Sequence, residues 1–165
     1  MLNPLRTYGL TAVAVTFAAL CFSSASAVAS PLGVWLDHTQ RGAIELYECG
    51  ASVCGRVVWM KNPLKENGRP VLDGRNPEAA RRDRPICGMK IIGKLRRQGD
   101  GTWDGGWIYS PERGQEFSVR IIQRSAEALE VTGYIMAPTF GQTFRWTRAP
   151  DNIGACAPIV EAATQ

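Results

Sequence analysis

Cysteine, histidine and a scatter of carboxylates are the side chains of this sequence that could do chemistry. Five cysteines occur, Cys21, Cys49, Cys54, Cys87 and Cys156, with a single histidine, His38. A zinc site would call for several more ligands or for paired C-x-x-C modules, and neither is present. A hydrolase would need a nucleophile, a base and a group to orient that base, yet no serine or cysteine motif accompanies His38. Asp37, Asp73, Asp104 and Glu112 could supply paired carboxylates for glycoside chemistry if two of them converge. Asp73 and Asn76, in an Asp-Gly-Arg-Asn-Pro stretch, are better explained as a turn residue and a helix cap. No glycine-rich helix start cradles a phosphate. Enzyme activity therefore ranks last, and neither cofactor nor metal is expected.

The N-terminus decides how to read the cysteines. Arg6 precedes the apolar residues 8–22 and then the small-residue run 23–29, the pattern of a secretory signal peptide over 1–29, with cleavage after Ala27 or Ala29. Lipid attachment at Cys21 is disfavoured because bulky Leu20 precedes it. The remaining cysteines are even in number, and in an oxidising compartment they read as two disulfides. Cys49 with Cys54 is the local pairing, which leaves Cys87 to reach Cys156. A periplasmic or secreted domain over 30–150 follows, with a tail at 151–165 tied back by Cys156. No later apolar run is long enough to cross a bilayer.

Beyond the leader, apolar residues recur with period two in short runs punctuated by Gly, Pro, Asn and Asp, an all-β pattern. Eight strands are predicted, at 33–37, 42–49, 54–60, 87–97, 102–110, 115–124, 127–135 and 139–148. Short connections favour antiparallel hairpins, and an antiparallel up-and-down barrel is the arrangement that leaves no edge exposed. A two-sheet sandwich is the alternative. Residues 61–86 form the one long connection, in which Asn76 could cap a short helix beginning at Pro77. Residues 61–97 hold 11 basic and 4 acidic residues, while the whole chain carries a net +4. Such a local basic region could meet an anionic envelope surface; nucleic acid is a poor partner at so modest an overall charge.

Several motifs in order resemble the exported bacterial DUF2147 family: Cys54-Gly55-Arg56-Val57-Val58-Trp59, Asp73-Gly74-Arg75-Asn76-Pro77, Arg82-Asp83-Arg84-Pro85, Trp103-Asp104-Gly105-Gly106-Trp107-Ile108-Tyr109, Gly133-Tyr134 and Trp146-Thr147-Arg148. The resemblance runs from about Gly33 to Arg148 and implies a small barrel similar to lipocalins, without an established biochemical role. The chain departs from the family pattern at Gln142, where arginine is usual, and at Ser110, where aspartate often precedes the proline. In the wider lipocalin group a tryptophan like Trp35 closes one barrel end and an arginine like Arg148 packs across it, a structural pair.

The aromatic residues suggest what a barrel could hold. Trp103, Trp107 and Tyr109 share a parity on the fifth strand, while Trp59, Phe117, Phe144 and Trp146 fall on apolar faces of others. An eight-stranded barrel is just wide enough to be filled by side chains or to hold one small ligand. The reading that follows is an exported protein binding a small apolar or amphipathic, lipid-like ligand. Trp59, Trp107, Tyr109, Phe117 and Trp146 would form the walls, and Arg82 or Arg84 would meet a polar or anionic head. An envelope interaction module with a filled barrel is the competing reading.

Overall fold

The computed structural model describes residues 30–156, so the expected leader and the last nine residues of the tail lie outside the described part. Its strands are β1 (Gly33–Leu36), β2 (Gly42–Cys49), β3 (Ser52–Met60), β4 (Lys90–Arg97), β5 (Trp103–Ser110), β6 (Gln115–Ser125), β7 (Ala128–Tyr134) and β8 (Gln142–Arg148). Each strand pairs antiparallel with the next, and β8 returns to β1 through Trp35 opposite Arg148 and Leu36 opposite Thr147, closing the barrel. Among the described residues no helix is long and apolar enough to cross a membrane.

Alternation explains most of the inner surface. Leu46, Val53, Leu95, Val119, Ile121 and Leu129 are buried and pack into one core. Trp35 is fully buried at the β1–β8 seam, where its indole N–H donates to the Pro31 carbonyl at 2.8 Å. The Arg148 guanidinium lies 3.8 Å from the centre of the Trp35 ring and donates to the carbonyls of Leu32 and Ala126. Gly33 makes room for it: a Cβ there would fall 2.2 Å from the guanidinium, at a φ of +116° that side chains resist.

The register slips at several places in the barrel, and two of these breaks turn a tryptophan round. In β3 the partner of Ala43 is Trp59 but the partner of Ile44 is Val57, so Val58 is an extra residue. In β5, Trp103 faces Ile121 and Gly106 faces Val119, so one residue of β6 stands opposite two of β5; Gly105 takes the positive φ of 73° at that bulge. Parity therefore shifts by one beyond each bulge. The expectation that Trp103, Trp107 and Tyr109 share one face is corrected for Trp103 alone, since Trp107 and Tyr109 lie beyond the bulge and keep a common parity; in β3 the bulge puts Trp59 on the face opposite Val57.

The long connection is ordered by its own hydrogen bonds. Leu64 bridges Pro70, Leu72 bridges Pro85, and the Ile86 N–H donates to the Val71 carbonyl at 3.0 Å. The helix expected from Pro77 is a single 3-10 turn, Ala79–Arg81. Asn76 does not cap it from the N-cap position; its side-chain oxygen accepts the Glu78 N–H at 2.9 Å and its amide donates to Asp73 at 2.7 Å. Because the Asp73 N–H also donates to the Arg84 carbonyl, the chain between them must fold back within eleven residues, too short a span to sustain a helix. Strand four starts at Lys90 rather than 87, since Gly88 has a φ of +84° and Cys87 is held in a disulfide. Strand eight starts at Gln142 because Pro138–Phe140 forms another 3-10 turn.

Both disulfides join the pairs expected, Cys49 with Cys54 across the β2–β3 turn and Cys87 with Cys156 over a separation of 69 residues. The second bridge, with a hydrogen bond from the Cys156 N–H to the Val58 carbonyl, fastens the C-terminal segment along β3. Gly154 of that segment lies against Trp59, so the turned-out indole is packed there.

Candidate ligand cavity

In an up-and-down barrel every second connection emerges at the same end. Here those are residues 37–41, 61–89, 111–114 and 135–141. The barrel is not filled at this end: an open cavity of about 650 Å³ runs from between these connections into the barrel, within the range that holds small molecules. Ile44, Val57, Ile91, Ile108, Val131 and Phe144 form its walls, with Tyr109, Phe117 and Trp146. Val71 and Ile86 of the long connection cover part of it. The two halves of the barrel therefore differ, one packed solid around Trp35 and one hollow.

Polar groups gather at the mouth. Asp37 is spent on organising its own loop, accepting from the Thr39 N–H at 2.9 Å, the Thr39 hydroxyl at 2.6 Å and the Arg41 N–H at 3.2 Å. His38 stacks on Phe144 with ring centroids 4.2 Å apart. Arg41 and Arg113 both border the cavity. Arg56, Arg81, Arg84, Arg120 and Arg124 each meet a carboxylate, whereas no ion pair engages Arg41 or Arg113 among the described residues. Arg113 donates to the Gln142 side-chain oxygen at 3.4 Å and lies 5.9 Å from the centre of the Phe117 ring. Gln142 and Ser110, where the chain departs from the family pattern, also border this mouth.

Of the wall residues expected from the sequence, Tyr109, Phe117 and Trp146 border the cavity, and Trp59 and Trp107 do not. Trp107 sits across Gly93, where a Cβ would fall 2.7 Å from its ring, with the Lys90 ammonium 6.0 Å from the ring centre. It borders a separate recess of about 350 Å³, together with Arg84 and the 3-10 turn of the long connection. Arg82 donates to the Asn76 carbonyl at 2.8 Å, and Arg84 stands 3.5 Å from Asp73; neither borders the large cavity. Sequence reasoning missed Arg41, Arg113 and Ile108. Once the strand order is fixed, the odd-numbered connections share an end, and that signal would have found both arginines.

Two tyrosine–aspartate contacts tie parts of the scaffold together. Asp73, fully buried, accepts from Tyr109 Oη at 2.7 Å, from Asn76 at 2.7 Å and more distantly from Arg84, and so ties the long connection to β5. Arg75 adds a hydrogen bond to the Glu112 carbonyl of the β5–β6 turn. Also on β5, Asp104 accepts from Tyr134 Oη at 2.6 Å, Arg120 Nε at 2.7 Å and the Gly105 N–H at 2.7 Å. Burial works to raise the Asp104 carboxyl, but the hydrogen bonds from Tyr134, Gly105 and Arg120 outweigh it and hold the group below its ordinary value. Burial, then the bond to aspartate, pushes both Tyr109 and Tyr134 up to about 12.

For a tyrosine raised in this way, the added stability is complete below the ordinary phenol value near 10 and is lost as pH climbs through the folded value near 12. Urea midpoints measured from pH 9 to pH 12 should fall across that window, and Tyr109→Phe with Tyr134→Phe should flatten the fall. An unchanged alkaline slope in the double variant would show that other groups control it.

The sequence model of a family described as an uncharacterized protein conserved in bacteria, DUF2147, matches residues 33–148. Among solved structures the chain is similar to one described as protein HP1028 from the human pathogen Helicobacter pylori, which belongs to the lipocalin family. Identity is 24%, with a TM-score of 0.62, 73% of this chain covered and 83% of that one. This likeness extends to the fold. No curated protein matches the sequence.

Proposed function

Since this chain belongs to the DUF2147 family of bacterial proteins, we propose that it reversibly binds one small amphipathic molecule, apolar body inside the barrel and anionic head at the mouth. The observation that carries this reading is the 650 Å³ cavity, walled by aliphatic and aromatic side chains and bordered at its mouth by Arg41 and Arg113, which no ion pair engages among the described residues. Lipocalin-like architecture supports small-molecule binding in general terms. The apolar walls and the arginines favour a lipid-like anion in particular. Two disulfides fit an oxidising compartment, and we place the protein outside the cytoplasm on that ground.

Burying about 300 Å² of apolar ligand surface contributes about 7 kcal/mol before the costs of association and ordering. The head then sets specificity. A carboxylate or phosphate at the mouth would accept charge-assisted hydrogen bonds from Arg41 or Arg113, the latter already donating to Gln142. Catalysis gains no comparable support: His38 is engaged with Phe144, and no ion pair joins it to a carboxylate among the described residues.

Native mass spectrometry of protein recovered from an exporting bacterial host, followed by organic extraction, tests occupancy and names the ligand class. Dodecanoate and dodecanol then separate head from body. Dodecanoate should bind more tightly, and Arg41→Ala with Arg113→Ala should weaken it by about tenfold while leaving dodecanol unchanged, equivalent to about 1.4 kcal/mol. Equal affinity for both compounds in wild type and variant would remove the arginines from the site. Failure of both compounds, together with a ligand-free mass, would argue against the carrier reading.

A further inference from the structure

Large apolar side chains left in water mark surfaces that meet something else. Among the described residues those exposed are Leu64, Ile135, Met136 and Phe140, at 54%, 72%, 87% and 85%. All four belong to connections at the cavity mouth, and three occur within six residues of the β7–β8 connection. That connection, Ile-Met-Ala-Pro-Thr-Phe-Gly, carries no charge. Ile135 belongs by sequence parity with Leu129 and Val131 in the core, but β7 ends at Tyr134 and Ile135 points away from it into solvent. The 3-10 turn Pro138–Phe140 fixes the presentation, with the Phe140 N–H donating to Ala137 and the Gly141 N–H to Pro138, each at 3.0 Å.

Charge is polarised along the barrel in the same sense. The four mouth connections hold nine basic and six acidic residues, a net of +3. At the opposite end the turns 50–51, 98–102 and 126–127 with the flanking segments 30–32 and 149–156 hold only Asp100, Glu127 and Asp151, a net of −3. An apolar tip within a cationic end suits an anionic phospholipid surface. A second copy suits it less, because a face-to-face pair would oppose two cationic ends.

We propose that the barrel docks mouth-first on anionic phospholipid bilayers, with Met136, Phe140 and Ile135 inserted at the headgroup boundary and the basic connections against the headgroups. Docking itself does not depend on the cavity holding a ligand. Its use, passing a lipid-like molecule between bilayer and cavity without crossing water, rests on the binding reading above.

Flotation with vesicles of phosphatidylglycerol and phosphatidylethanolamine, against phosphatidylcholine alone, tests the docking with the purified protein. The anionic vesicles should carry the protein, high salt should release most of it, and Met136→Ser with Phe140→Ser should weaken partitioning by about tenfold or more. Both side chains are exposed, so the double variant should keep the wild-type melting temperature and circular dichroism. Absence of flotation with anionic vesicles would overturn the proposal, as would a double variant that floats undiminished. Sedimentation showing a dimer that the double variant disrupts would assign the patch to a second copy instead. Dodecanoate affinity in solution, measured on the same samples, keeps the two readings apart: docking can fail with this affinity intact, and the reverse would spare docking while removing the cavity ligand.

Discussion

Replacing Gly133 by leucine is expected to weaken dodecanoate binding severely while leaving the barrel at least as stable as before. Gly133 lies on β7 opposite Val119 of β6 and Gln142 of β8, and it borders the cavity. A Cβ built there would sit 3.9 Å from the Phe117 Cβ and 4.0 Å from Ile108 Cγ2, ordinary contact distances, with no left-handed backbone to resist it. The isobutyl group would therefore occupy the space needed by the apolar body of a ligand. Affinity should fall by about 100-fold, or about 2.7 kcal/mol. Stability should move the other way, because a strand glycine costs about 0.5–1 kcal/mol relative to a residue with a side chain, and leucine would also cover apolar wall. Opposite signs for binding and stability are the mark of a cavity kept open for use rather than left by poor packing. Titration calorimetry and thermal melting on the same preparation check both. Wild-type affinity in a folded Gly133→Leu protein would place the ligand elsewhere, and Gly133→Ala should change little.

The wall that Gly133 belongs to was legible in the sequence only in part. Period-two patterning, short turns and the even cysteine count were sufficient for eight antiparallel strands, closure and both disulfide pairs. Parity failed where an extra residue enters a strand. The Gly105-Gly106 pair could have signalled the bulge in β5, since an isolated glycine in a strand pattern suggests one. At Val58 no residue type betrays the bulge, because a β-branched side chain fits a regular strand equally well. Trp59 and Trp107 were thus assigned to a cavity they do not border, while Ile108, one position along, lines it. The Asp73 site shows a different limit. Its turn chemistry was readable, but the bond from Tyr109, thirty-six residues away, depends on how the long connection folds over the barrel. Whether a barrel of this size is hollow or full is likewise a sum over many side chains, and here the answer differs between its two ends.

Removing the Cys87–Cys156 bridge should cost far more than removing Cys49–Cys54. The first closes a separation of 69 residues and the second one of five, and both have ordinary Cα separations, 5.7 and 5.8 Å. In the chain-entropy treatment the long bridge contributes about 4 kcal/mol and the short one about 2 kcal/mol. Against a total stability of about 5–15 kcal/mol, loss of the long bridge leaves a marginal fold. Position adds to the effect. Cys156 holds the C-terminal segment on Val58 and beside Trp59, and Cys87 directly follows Ile86, which covers the cavity from the long connection. Cys87→Ser with Cys156→Ser should therefore lower the guanidinium midpoint sharply and also weaken dodecanoate binding, by about threefold to tenfold, by loosening that cover. Cys49→Ser with Cys54→Ser should shift the midpoint less and leave the affinity unchanged, because its turn lies at the solid end of the barrel. Equal stability losses in the two double variants would show that chain entropy does not govern these bridges. An unchanged affinity in the first would show that the long connection holds its place through Asp73, Arg75 and their partners alone.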